Sequence, residues 1–178
     1  GWRLKRAQHE GNLKKALGKK DKKLFIFDAT AGLLSDTMIF LSLGHKVVAV
    51  EQSKILFCLV NDAIQRARDK IPHLNNLEFL NDNSQLVYKK QDKVFDAIYL
   101  DPMYPIIKKS TKKRGSINNI KQILEIENLA SDEEEIIDIF MKYNYKKIIV
   151  KRPLKSEKKY SNINYQVKGK TTRFDIYI

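Results

Sequence analysis

The chain has 178 residues, of which 43% are hydrophobic, and its formal net charge is +13. This length suits one domain, and the hydrophobic fraction is enough for a packed core, which excludes wholesale disorder. The charge favours a polyanionic partner, and nucleic acid is the first candidate. Lysine-rich codon usage would also raise the charge, so the charge supports this partner without proving it.

Several classes of protein and site are excluded next. No apolar run approaches the roughly 18 residues of a membrane helix, and residues 1–23 are too polar for a signal peptide. The single cysteine, Cys58, excludes a disulfide framework and a multi-cysteine zinc site, and its apolar neighbours predict that it lies in the core. His9, His45 and His73 are too far apart in sequence for a metal site. We therefore expect a cytoplasmic protein without a metal.

The predicted elements alternate between strands and helices. Residues 1–23 form a basic lead-in with a short helix that ends at Gly18. Apolar or alternating runs predict strands at 24–27, 46–50, 77–80, 95–100, 147–150 and 173–177. Helical periodicity and caps predict helices at 35–43, at 53–70 and from Ser131 to about Tyr143. Such a pattern is typical of an α/β fold with a mostly parallel central sheet and helices on both faces.

Polar residues follow nearly every predicted strand, and ligands of open α/β sheets bind at these carboxyl ends. The turn Asp28-Ala-Thr-Ala-Gly32 has small residues that let a ligand approach the backbone, although an ordinary tight turn would have the same sequence pattern. It lacks the glycine spacing of a dinucleotide site. Glu51, after the second strand, can accept both hydroxyls of a ribose. Asn83 and Ser84, after the third, suit an adenine edge or a helix cap.

The segment Asp101-Pro-Met-Tyr-Pro105 is the sharpest feature of the sequence. It delivers a carboxylate, a rigid proline and an aromatic ring directly after an apolar strand. The ring of Tyr104 can stack on a planar base, and the carboxylate of Asp101 can accept a hydrogen bond from an exocyclic amino group. These two residues are therefore the candidate catalytic pair.

Six motifs in this order resemble the bacterial small-subunit (16S) rRNA guanine-N2 methyltransferases, a family of Rossmann-like class I enzymes. The motifs are Asp28-Ala-Thr-Ala-Gly-Leu33 with Asp36, Ala49-Val-Glu-Gln-Ser53, Tyr99-Leu-Asp-Pro-Met-Tyr-Pro105, Lys108-Lys-Ser110, Val150-Lys-Arg-Pro153 and Arg173-Phe-Asp-Ile-Tyr177. The resemblance implies S-adenosylmethionine as methyl donor and the N2 amino group of a guanosine in 16S rRNA, or in the small ribosomal subunit, as acceptor.

The resemblance also implies roles for individual positions. The turn residues Asp28, Ala29 and Gly32 would hold the cofactor, with Ser35 and Asp36 at its methionine end. Glu51 and Gln52 would lie at the adenosine of the cofactor, and Asn83 and Ser84 would make the next contact with the cofactor. Asp101 would lie between the cofactor and the target amino group. Position 34 is leucine where the family has a second glycine, and position 35 is serine where it usually has arginine.

The family also carries an N-terminal domain, of which residues 1–23 would be a remnant, so residues 24–178 would form the methyltransferase domain. Basic residues after the fourth and fifth strands would hold rRNA phosphates in a positive rim. They are Lys108, Lys109, Lys112, Lys113, Arg114, Lys151 and Arg152.

Two alternatives to this function stay open from the residues alone. One is an amino methyltransferase that acts on adenine N6 or on a protein glutamine, since the Asp-Pro-Met-Tyr segment suits these amino groups too. The other is an RNA-binding assembly factor that has kept the fold without cofactor binding. An NAD-dependent reductase is more distant, because the glycine pattern is missing.

Overall fold

A seven-stranded sheet organises the chain. The computed structural model describes residues 11–18, 22–102, 115–129, 133–157 and 160–178. The strands are β1 (Phe25–Asp28), β2 (Lys46–Glu51), β3 (Leu77–Asn81), β4 (Ala97–Leu100), β5 (Ile148–Pro153), β6 (Tyr165–Lys168) and β7 (Thr172–Tyr177). Their order is β3-β2-β1-β4-β5-β7-β6. The first five strands run parallel, β7 is antiparallel to β5, and β6 is antiparallel to β7.

Helices lie on both faces of this sheet, as the sequence predicts. They are α1 (Gly11–Leu17), α2 (Thr37–Ser42), α3 (Lys54–Ala67), α4 (Ser84–Lys89), α5 (Gly115–Ile126) and α6 (Glu133–Phe140), with short 3-10 turns at Arg68–Lys70 and Pro72–Asn76. The predicted cap of α6 at Ser131 falls outside the described residues. No helix of the described ranges is long and apolar enough to cross a membrane.

Two hydrophobic cores explain why the strands are continuous apolar runs. Alternate residues of a strand point to opposite faces, so a strand covered on both faces has no polar side. In β1, Ile26 packs into the core with α1, α2 and α3, whereas Phe27 packs into the core with α4 and α6. Both side chains are fully buried. The sheet is therefore the middle layer of three.

Helix α1 belongs to the first of these cores. Leu13, Ala16 and Leu17 are buried there, and the ammonium of Lys147 donates to the carbonyl of Leu17 at 2.9 Å. Helix α1, which lies within the predicted basic lead-in, therefore packs against the sheet.

Cys58 does not lie in the core. Helix α3 buries Leu56 and Ile64, which are eight positions apart and so share one face of the helix. Cys58 is two positions from Leu56, about 200° around the helix, and it is exposed. The predicted burial is wrong because the apolar run Ile55 to Val60 continues onto the outer face of the helix.

Candidate active site

The turn after β1 is tied to both neighbouring strands through its backbone. The N–H of Ala29 donates to the carbonyl of Tyr99 at 3.1 Å, and the N–H of Ala31 donates to the carbonyl of Val50 at 3.1 Å. Gly32 has a φ of +50° and Leu34 a φ of +56°. Leu34 thus keeps the left-handed backbone that suits the glycine expected at this position, and its side chain is only 2% exposed.

The side chain of Asp28 stabilises this turn. Its carboxylate accepts hydrogen bonds from the N–H of Thr30 at 3.2 Å and from the hydroxyl of Thr37. The side chain is 2% exposed, and burial raises the pKa of Asp28 to about 7 against the lowering effect of these two donors. Its carboxylate therefore faces the protein and holds the turn to the start of α2.

Glu51 connects the end of β2 to the same turn. Its Oε2 accepts from the N–H of Gly32 at 2.8 Å, and its Oε1 accepts from the N–H of Ser53 at 2.8 Å. Burial raises the pKa of this carboxyl, although these two donors and the N–H of Gln52 oppose the shift. The neighbouring Gln52 is exposed. Glu51 thus fixes the turn while its carboxylate keeps acceptor capacity for a ligand.

A lysine bridges two carboxylates at the centre of the carboxyl edge. The ammonium of Lys151 lies 2.7 Å from Oδ2 of Asp36 and 2.6 Å from Oδ2 of Asp101. The hydroxyl of Tyr99 donates to Oδ2 of Asp36 at 2.7 Å. Burial lowers the pKa of Lys151, but its two carboxylate partners outweigh that effect and the pKa is raised. The lysine is therefore charged, and the cluster joins β4, β5 and the start of α2.

Asp101 is the accessible member of this cluster. Its side chain is 34% exposed, against 9% for that of Asp36. Its backbone N–H donates to the hydroxyl of Thr30 at 2.7 Å, which links the end of β4 to the turn after β1. Burial and the charge of Asp36 raise the pKa of Asp101 to about 6, although Lys151 opposes the shift. This carboxylate can therefore accept a hydrogen bond from an incoming group at neutral pH.

Asn83 and Ser84 begin helix α4 beside the end of β3. The side-chain oxygen of Asn83 caps the helix by accepting from the N–H groups of Gln85 and Leu86. Ser84 is buried. The capping role that the sequence allowed for Asn83 is thus present, and its side-chain oxygen is already engaged.

Glu127, directly after α5, is a contact that the sequence did not predict. Its carboxylate accepts from the hydroxyl of Ser53 and from the N–H of Ile55 at 3.1 Å, so it caps the start of α3 next to Glu51. The two partners are 72 and 74 residues from Glu127 in the chain, and no local pattern links them.

The two basic residues of β5 do not form an exposed rim. Arg152 is 2% exposed, and its Nε lies 3.5 Å from Oδ2 of Asp175 on β7. The interpretation of Arg152 as a surface contact for RNA is therefore wrong. It failed because β5 continues to Pro153 against β7, so that Lys151 and Arg152 are interior residues of a strand rather than a loop.

The remaining predicted residues divide into two groups. Ser35 is exposed at the entrance to α2, next to Asp36. Tyr104 and the predicted basic segment lie outside the described residues. The members of that segment are Lys108, Lys109, Lys112, Lys113 and Arg114.

A family model described as that of a SAM-dependent methyltransferase matches residues 2–178. The chain belongs to this family of S-adenosylmethionine-dependent methyltransferases, and its fold is the Rossmann-like class I fold.

More particularly, the chain is similar to proteins named ribosomal RNA small subunit methyltransferase J. That of Francisella tularensis subsp. novicida is 36% identical over 168 residues, which are 90% of this chain and 68% of the relative. That of Francisella philomiragia is 34% identical over 165 residues. Among solved structures, a SAM-dependent methyltransferase from Neisseria gonorrhoeae has a TM-score of 0.70 and 26% identity, over 94% of this chain and 70% of that one.

The residues of the carboxyl edge fit the cofactor of this family. S-adenosylmethionine carries a positive sulfonium and an ammonium near its methyl group. Asp36 and Asp101 lie close enough to Asp28 to raise its pKa, Asp36 also raises that of Asp101, and Lys151 is the cation that the described residues place among them. This surplus of carboxylates favours a cationic ligand. Glu51 and the Gly32 turn suit the ribose end.

Proposed function

We propose that this enzyme methylates the N2 amino group of a guanosine in the 16S rRNA of the small ribosomal subunit. The observation that carries the proposal is Asp101, a partly exposed carboxylate held at the end of β4 beside the cofactor residues. The names of the Francisella relatives and the resemblance of the Asp-Pro-Met-Tyr segment support the substrate. An rRNA substrate also implies a cytoplasmic enzyme.

Bound S-adenosylmethionine would supply an electrophilic methyl group. The chain's own contribution is to position the nitrogen that attacks it. An amino group conjugated to a base is a weak nucleophile, because its lone pair is delocalised into the ring. A carboxylate that accepts one N–H of this group favours the localised lone pair and holds it in line. Asp101 is the proposed acceptor.

The described hydrogen bonds leave one oxygen of Asp101 for this purpose. Lys151 engages Oδ2, and apart from the neighbouring carboxyl of Asp36 no group of the described residues donates to Oδ1. We propose that Oδ1 accepts the N–H of the target. Tyr104, three residues further on, is the proposed stacking partner of a base that has left its helix.

Exposed lysines at the same edge of the sheet support RNA as the partner. The β6–β7 hairpin turns at the carboxyl edge, since Pro153 of β5 pairs with Thr172 and Lys168 pairs with Arg173. Lys168 and Lys170 of this hairpin are exposed. With the proposed contacts at Lys108, Lys109, Lys112, Lys113 and Arg114, they would bind phosphates beside the target pocket.

Methyl transfer from labelled S-adenosylmethionine to unmodified small ribosomal subunits, followed by nucleoside digestion and mass spectrometry, tests this function. The proposal predicts N2-methylguanosine as the labelled product. Label in another nucleoside would overturn the guanosine assignment. Label only in a protein glutamine would overturn the RNA substrate, and saturable cofactor binding without label on subunits or on free 16S rRNA would overturn both.

A further inference from the structure

We propose that Lys151 is a positioning residue for methyl transfer, which clamps Oδ2 of Asp101 to Oδ2 of Asp36 and so presents Oδ1 of Asp101 to the target amino group. This inference rests on the proposed function for the identity of the target. It assigns Lys151 a task inside the site, in place of the RNA contact that the sequence predicted.

The geometry of the clamp is specific. Lys151 is an interior residue of β5, two positions beyond Ile149, which pairs with Tyr99 of β4. The ammonium lies within 2.7 Å of both carboxylates, and the lysine side chain is 19% exposed. A surface lysine that binds phosphate keeps its ammonium in water. The ammonium of Lys151 is instead held by two short hydrogen bonds to groups of the site.

The clamp constrains both carboxylates. Asp36 precedes α2, yet its side chain makes no capping hydrogen bond to that helix. Its Oδ2 instead accepts from Tyr99 and from Lys151. Because Asp36 is fixed in this way, Lys151 has a rigid anchor from which to hold Asp101. The methionine-end residue of the cofactor site and the proposed acceptor of the target group therefore move as one unit.

The clamp also controls the charge of Asp101. Asp28 and Asp36 are the acids that face it, Tyr99 is the neighbouring phenol, and Lys151 is the cation. Burial and Asp36 raise the pKa of Asp101, whereas Lys151 lowers it. Without the lysine, more of Asp101 would be protonated at neutral pH, and a protonated carboxyl is a poorer acceptor for an N–H group.

A direct titration tests the clamp independently of the RNA substrate. Carboxyl ¹³C NMR of aspartate-labelled protein would follow Asp101, assigned by its absence from the Asp101→Asn spectrum. In Lys151→Gln we expect its midpoint to rise by about one pH unit or more, which is the usual effect of losing an adjacent cation. Lys46→Gln, an exposed lysine at the opposite edge of the sheet, should leave it unchanged. An unchanged midpoint in Lys151→Gln would overturn the clamp.

The pH profile of kcat/KM for methyl transfer then tests positioning. We expect the acid limb of the profile to shift to higher pH in Lys151→Gln, with activity partly recovered at pH 8.5. In Lys151→Arg the limb should stay near that of the wild type. A loss in Lys151→Gln that is equal at all pH values would contradict this role. Should Lys151→Gln fail to fold, Lys151→Met is tested in its place. Normal activity with the wild-type acid limb in Lys151→Met would overturn the proposal, and a shift of its acid limb to higher pH would support it. Failure of the proposed function would instead remove methyl transfer from the wild type and leave the NMR result intact.

Discussion

The backbone N–H of Gly32 donates to Oε2 of Glu51 at 2.8 Å, across 19 positions of the chain. One carboxylate thus closes the turn after β1 and ends β2, and these are the two segments proposed to bind the cofactor. The bond makes the shape of the turn depend on an acidic residue of the neighbouring strand, so that the two halves of the candidate cofactor site are built together.

Glu51→Gln should weaken S-adenosylmethionine binding by about tenfold or more. The amide keeps one oxygen acceptor, but it cannot accept from Gly32 and Ser53 together and also lacks the charge that suits ribose hydroxyls. Isothermal titration calorimetry measures the affinity. Glu78→Gln, an exposed carboxylate on β3, is the matched control and should bind as the wild type does. Equal affinities for Glu51→Gln and the wild type would contradict this role.

Asp28 should make the folded protein less stable as pH rises. Its pKa is about 7 in the fold and about 4 in an unfolded chain, so between these values the folded state binds more protons. The free energy of unfolding should therefore fall from pH 4 to pH 7, by at most about 4 kcal/mol from this group. Urea unfolding across this range should show a shallower fall for Asp28→Asn. An equal fall of the free energy of unfolding with pH in the wild type and in Asp28→Asn would contradict the raised pKa of Asp28.

At position 34 we expect a glycine variant to be more stable than an alanine variant, the reverse of the usual order. The φ of +56° at Leu34 costs about 1 kcal/mol for any residue with a Cβ, and glycine escapes this cost. Both substitutions lose a buried side chain, which destabilises by about 2–5 kcal/mol. We therefore expect Leu34→Gly to be more stable than Leu34→Ala, as measured by urea unfolding. An alanine variant of equal or greater stability would show that the backbone is not strained there.

The sequence was sufficient to predict the layers of the fold and the edge of the sheet at which the candidate site residues meet. The runs around Ile26 and Val48 are apolar because both faces of the sheet are covered, and this local pattern is visible in the sequence. The polar residues after the strands, Asp28, Glu51 and Asp101, lie at one edge of the sheet because parallel strands bring their carboxyl ends together.

What the sequence could not predict depends on contacts between distant segments. Lys151 and Arg152 are adjacent in a basic motif, yet one bridges two acids of the site and the other is buried beside Asp175. The surroundings of these two side chains are set by β7, whose pairing extends β5 beyond its apolar run. Glu127 is likewise recognised as a cap only once α5 is placed against α3.

Single-turnover methyl transfer by Asp101→Ala tests whether this carboxylate is the acceptor for the target amino group. The variant, with saturating S-adenosylmethionine and unmodified small subunits, is compared with the wild type, and cofactor and RNA affinities are measured alongside. We expect a rate at least about 100-fold lower, the effect of removing a positioned acceptor, with RNA affinity unchanged. Methyl transfer at the wild-type rate by Asp101→Ala would contradict the assignment of this carboxylate as the acceptor for the target amino group.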